Sequence, residues 1–142
     1  MTTHPNQLDI EALADSLSAT ADTLHTRLTQ AIRRQPPAIT QAAAQVLFDN
    51  EVALRQCANT LYLNAAVIAV GGLGGAQRQL MEVTARTQEK IRRIEHTKHL
   101  IQLTGELLSL AAAIATGKPE DLAAPFENIK HHLEAMDDDP AG

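Results

Sequence analysis

Aromatic side chains are almost missing from this chain: there is no tryptophan, and Phe48, Tyr62 and Phe126 are the whole set. Binders of single-stranded nucleic acid or of sugars usually need flat stacking surfaces, so such functions have little to work with here. Cysteine is reduced to one residue, Cys57, which excludes an internal disulfide and suits a reducing compartment. Acids outnumber bases and the formal net charge is −5, so no general basic field draws the chain to nucleic acid, and no nucleic-acid partner is expected. The first residues, Met1-Thr2-Thr3-His4-Pro5, show no basic segment leading into an apolar run. A cytoplasmic location is the corresponding expectation. Strand-like alternation and internal repeats are also lacking.

What is present is an aliphatic, alanine-rich chain of 142 residues, 44% hydrophobic and 20% charged. That is one domain by length, with enough chain for a core that needs no staples. Small and unbranched side chains favour closely packed helices over sheets. A first helix is expected over 7–34, with Asn6 as N-cap and Ile10, Leu13, Leu17, Ala21, Leu24, Leu28 and Ile32 as its apolar stripe. Pro36 stops it. A second helix is expected to start near Pro37 as a proline of the first turn.

The second helix has the cleanest pattern. Leu47, Leu54, Leu61 and Ile68 fall seven apart, and Ala43, Asn50, Cys57 and Asn64 fall seven apart between them. This reads as a packing seam with large residues at one position and small or polar ones at the other, the asparagines specifying register and partner number. The helix then meets Gly71-Gly72-Leu73-Gly74-Gly75. Four glycines inside one helix would cost about 1 kcal/mol each relative to alanine, so Gly71, Gly72, Gly74 and Gly75 mark a hinge between two helices. A third helix is expected over 76–116, about 60 Å long. It is amphipathic at first and apolar on nearly every side from Leu100 to Ala115, where Gly105 permits a kink or a close helix contact. Gly117 ends it. A fourth helix begins afresh near Pro125 or is kinked there, with Leu122, Phe126, Ile129, Leu133 and Met136 on its buried face. Residues 1–6 and 137–142 are expected to be flexible tails. The resulting fold is all-α: an elongated bundle of about four helices built on a long antiparallel hairpin of the second and third. The basic stretch 78–98 and the acidic N- and C-terminal segments suit neighbouring helices of one bundle.

Few constellations carry chemistry. His96 and His99 share a helix face, and His131-His132 lie on the last helix, so these four are the candidate metal ligands. They fall short of the three or four converging ligands a metal needs, and no metal or other cofactor is expected. Cys57 falls on the apolar seam, where a thiol is usually inert packing. No phosphate-cradling loop or serine-nucleophile motif is present. The stretch Arg93-Ile94-Glu95-His96-Thr97-Lys98-His99 reads R-x5-H. It resembles the short R-x4-6-H signature of the HEPN superfamily, small all-helical domains that often cleave RNA. The resemblance covers seven residues, and Ile94 replaces the polar residue common just after that arginine. It implies catalytic roles for Arg93 and His99 at a scissile phosphate.

From Gln56 to Gln77 the chain carries no charge, long enough to span a bilayer, with Gly71 and Gly75 in G-x-x-x-G spacing. Asn59, Asn64 and Thr60 interrupt that run, and Glu106 interrupts the apolar stretch of the third helix. The expectation is therefore a non-enzymatic helical bundle that binds another protein: a scaffold, a secretion chaperone, or an immunity or antitoxin-type inhibitor. Its seam (Leu47, Asn50, Leu54, Cys57, Leu61, Asn64, Ile68) and the exposed remainder of the hairpin are the interaction surfaces, and a homodimer is favoured. A membrane-active hairpin inserting 56–77 and a HEPN-like ribonuclease are the alternatives.

Overall fold

The computed structural model describes residues 5–71, 73 and 76–137, and every regular element among them is helical. Five α-helices follow one another: α1 (Pro5–Arg33), α2 (Gln41–Gly71), α3 (Gln77–Arg93), α4 (Thr97–Thr116) and α5 (Ala123–Asp137). A single 3-10 turn, Pro119–Asp121, joins the last two. Cross-helix contacts fix their directions. Asp15 meets Tyr62 and Asp22 meets Arg55, so α1 and α2 are antiparallel. Thr23 meets Gln88 and Arg27 meets Ile94, so α3 runs with α1. Asn50 meets Thr104 and Ile68 lies against Gly117, so α4 runs with α2. Glu106 of α4 meets His132, and Thr116 at the end of α4 meets Asp121 just before α5, so α5 runs back along α4 and the five helices alternate in direction.

Packing closes these rods into a ring: α1 lies against α2 and α3, α2 against α4, α4 against α5, and α5 against α3. One core fills it, with Ile10, Leu17 and Leu24 of α1, Leu54 and Leu61 of α2, Leu80 and Ile91 of α3, Leu103 and Leu110 of α4, and Ile129 and Leu133 of α5 out of water. Buried Thr84, Thr87 and Thr104 satisfy their hydroxyls on the carbonyls of Leu80, Val83 and Leu100, one helical turn back.

The all-α bundle expected from the sequence is the architecture observed, and several of its details are corrected. The expected helix over 76–116 is two helices folded back at Ile94–His96. Ile94 (φ −64°, ψ 132°) and His96 (φ −85°, ψ 121°) are extended, with neither glycine nor proline to break the rod. The break is tertiary. It lets α3 bury Leu80, Val83, Thr87 and Ile91 on one side of the ring while α4 buries Leu103, Leu107 and Leu110 beside α2. The Ile94 amide closes α3 on the Lys90 carbonyl at 2.8 Å, and its carbonyl accepts a hydrogen bond from the Arg27 guanidinium. Consequently α2 and α3, opposite in direction, hardly touch, and the neighbours of α2 in the ring are α1 and α4.

Helix ends differ too. Asn6 lies inside the first turn of α1 and is not its cap, and residues 5–6 and Asp137 are helical where tails were expected. Asp137 pairs with Lys90 at 2.8 Å and with Arg86 at 3.1 Å, a meeting of the basic and acidic segments. The second helix starts at Gln41 instead of Pro37, because the Thr40 hydroxyl accepts the Ala43 amide at 3.1 Å and caps the first turn. Ile32 ends the α1 stripe half-exposed. Pro125 takes the third position of α5, where its missing N–H has no helical partner to lose. A Cβ placed on Gly105 would meet nothing within 4 Å, so no helix approaches it closely.

Candidate functional site

Surface chemistry in this molecule concentrates on α2. Its inner face is the seam: Leu47, Leu54, Leu61 and Ile68 are buried. The positions that complete the seam are Glu51, Ala58 and Ala65, four residues after each leucine, not the set three residues after. Asn50 and Cys57 are half-buried at its edge, Asn50 donating to the Thr104 hydroxyl at 3.0 Å. Asn64 is exposed and leaves the seam altogether. Burial raises the Cys57 thiol above its ordinary pKa, which keeps it protonated and weakly nucleophilic.

Glu51 is the residue that spacing alone did not single out. It is 5% exposed, and it accepts hydrogen bonds from His25 Nδ1 at 3.0 Å and Arg55 Nε at 3.1 Å. Arg55 also reaches Asp22 at 2.8 Å, which, followed by Glu51, holds its guanidinium above its usual pKa. The signal was present as the Glu51–Arg55 pair, one helical turn apart, and the Asp22–His25 pair on α1.

The outer face of α2 is apolar where a solvated helix is normally polar. Leu63 is 77%, Val67 73% and Val70 91% exposed, and Phe48 and Val52 continue the stripe toward the helix start. Counted at 100° per residue, these side chains point away from Leu54, Leu61 and Ile68. Scattered apolar residues on a surface need no explanation, but a run along one helix face does. Of the expected hinge, Gly71 is the last helical residue, and Gly72, Gly74 and Gly75 lie outside the described residues. Leu73 between them is buried.

The histidines form a second polar feature. The rings of His96, His99 and His132 stand in a row with centroids 6.0 Å apart, and His132 Nδ1 donates to Glu106 Oε2 at 3.0 Å. Beside them an open groove of about 800 Å³ runs between α4 and α5, with Gly105 in its wall and Glu127 and exposed His131 at its edge. Among the described residues no three His, Cys, Asp or Glu side chains are placed to hold a metal ion together. Arg93 and His99 are drawn to different neighbours: Arg93 pairs with Glu89 at 2.7 Å at the end of α3, and His99 faces His96 and His132 on the far side of the break. Comparison with protein-family models, with curated proteins and with solved structures finds no match to this chain.

Proposed function

We propose that this chain is a non-enzymatic binding module, a scaffold, secretion chaperone or immunity-type inhibitor, that engages another protein through the outer face of α2. The observation that carries the reading is the exposure of Leu63, Val67 and Val70 on one uncharged face of a long, otherwise well-packed helix. An amphipathic partner helix or groove gains about 25 cal/mol for each Å² of that surface it covers. Arg93 is paired with Glu89 while His99 stands beside His96 and His132, and these different neighbours favour a binding role over the ribonuclease reading.

The test is capture of proteins from a lysate of the source cell by the wild-type chain and by Leu63→Lys/Val70→Lys. A protein retained by the first and lost by the second supports the reading; identical capture by both overturns it. The same uncharged face, at the glycine-rich end of α2, also favours a membrane-active reading. Binding to vesicles of anionic and zwitterionic lipid that the double variant abolishes would replace the protein partner with lipid.

A further inference from the structure

One end of the bundle gathers positive charge. Segments 27–34 and 92–98 carry Arg27, Arg33, Arg34, Arg92, Arg93 and Lys98 against Glu95 alone, in a chain whose formal net charge is −5. The hydrogen bond from Arg27 to the Ile94 carbonyl joins the two segments, where α1 ends and α4 begins. A small, largely enclosed cavity of about 180 Å³ lies there. Arg27, Gln30, Arg34, Glu95 and Thr97 form its polar wall, and Leu28, Leu47 and Leu100 of the core line the rest. We propose that this cavity binds a phosphoryl group, as inorganic phosphate or as the terminal group of a phosphate ester. The site is separate from the outer face of α2 and stands or falls without it.

Unspent donors are the first ground. Arg92 and Arg93 are both paired with Glu89. Among the described residues Arg27 and Arg34 meet no carboxylate. Arg27 spends Nη2 on Ile94, which holds its guanidinium in place, and its Nε is out of water with no acceptor. A buried charged donor without an acceptor is costly and rare in native proteins. A phosphate oxygen supplies that acceptor, and the planar guanidinium matches phosphate geometry as an ammonium does not.

The backbone is the second ground. Helix α4 opens at Thr97, on the cavity wall, and the His96 side chain places no cap on its first turn. First-turn amides have no partner within their helix, and the positive dipole end of a 20-residue helix favours an anion. Gln30 and Thr97 add neutral donors. The leucines keep the local dielectric low, which strengthens each of these attractions.

Size selects the ligand. The cavity is smaller than the roughly 300–1,000 Å³ of sites that enclose a whole organic molecule, so only a compact head enters it. Of the wall residues only Glu95 is acidic, and it is exposed. Its charge opposes an anion, so removing that charge should tighten binding.

Isothermal titration calorimetry of the full chain with inorganic phosphate, at about 150 mM chloride to screen diffuse attraction, is the test. The expected Kd is at or below about 1 mM. Arg34→Gln alters an exposed side chain and should weaken binding at least about five-fold while leaving the thermal melt in phosphate-free buffer unchanged. Arg27→Lys keeps the charge but loses the planar fork, and should weaken binding about tenfold or more. Glu95→Gln should tighten it about two- to five-fold. Lys118→Gln, beyond the other end of α4, should bind like wild type. Two further probes distinguish the source of the group. Glycerol phosphate that binds as inorganic phosphate does supports a soluble ester. Vesicles containing phosphatidic acid that bind the wild-type chain, and release it on Arg34→Gln or added phosphate, support a lipid headgroup. Absence of heat and of a melt shift at about 10 mM phosphate overturns the proposal. So do a Kd that Arg27→Lys and Arg34→Gln both leave unchanged and a Glu95→Gln variant that binds more weakly.

Discussion

Glu51 shows how one residue can hold two helices in register. A carboxylate nearly out of water is tolerable only when paired, and His25 and Arg55 pair it. Removing a partner should therefore hurt more than removing the charge. Arg55→Met is expected to lower the free energy of unfolding by about 1–3 kcal/mol, and Glu51→Leu by less, in urea titrations. Asp137 makes a weaker case because it is half-exposed. Lys90, then Arg86, holds its carboxyl below the usual range, burial opposing them slightly. With the folded pKa below the unfolded one, the pairing stabilises the fold above the ordinary carboxylate pKa of about 3.9 and is lost as pH falls through the lower folded value. Asp137→Asn should cost at most about 1 kcal/mol at pH 7, the ceiling for exposed pairs, and nothing once the wild-type carboxyl is protonated. Thermal melts at both pH values measure the difference.

At the scale of the element, the ends of the helices are set by local chemistry and the break in the third by none of it. Thr40 caps α2 and Gly117 closes α4 in the left-handed conformation at φ 71°. Thr40→Ala should cost about 1 kcal/mol. Gly105→Ala should stabilise by roughly 0.4–1 kcal/mol, since its Cβ enters open space on the groove side of α4. Chemical denaturation of the two variants checks both signs, and a destabilising alanine at 105 would mean that the groove is filled in solution. The ends near Gly71, Gly117 and Pro125 were legible because glycine and proline have backbone preferences of their own. The reversal at Ile94–His96 was not, because isoleucine, glutamate and histidine have no such preference and the cause lies in which helices the two halves bury against.

For the molecule as a whole, the contrast between two neighbouring leucines of α2 is the sharpest test of the architecture. Leu61 is fully buried and Leu63, two residues on, faces solvent. Leu61→Lys or Leu54→Asp should abolish cooperative unfolding, since an unpaired charge in the core costs several kcal/mol of the 5–15 kcal/mol a domain usually has. Leu63→Lys should leave the melt of the isolated chain within about 0.5 kcal/mol of wild type. Equal losses at both positions would mean that the outer face of α2 is already covered within one chain.

The sevenfold spacing of Leu47, Leu54, Leu61 and Ile68 was enough by itself to make α2 a core helix, since a repeat near the helical period lines up one face whatever packs on it. The all-helical class followed from the same kind of local regularity, repeated in Ile10 to Leu28 and Leu80 to Ile91. Which residues accompany those leucines inside was a tertiary decision. Asn50, Cys57 and Asn64 repeat as regularly as Glu51, Ala58 and Ala65, and only the positions of α1 and α4 around α2 turn the second set inward and Asn64 out to water. The pairing of Glu51, the fold-back after Arg93 and the apolar outer face of α2 share that origin: each depends on which side of a helix its neighbours occupy, and periodicity carries no information about neighbours.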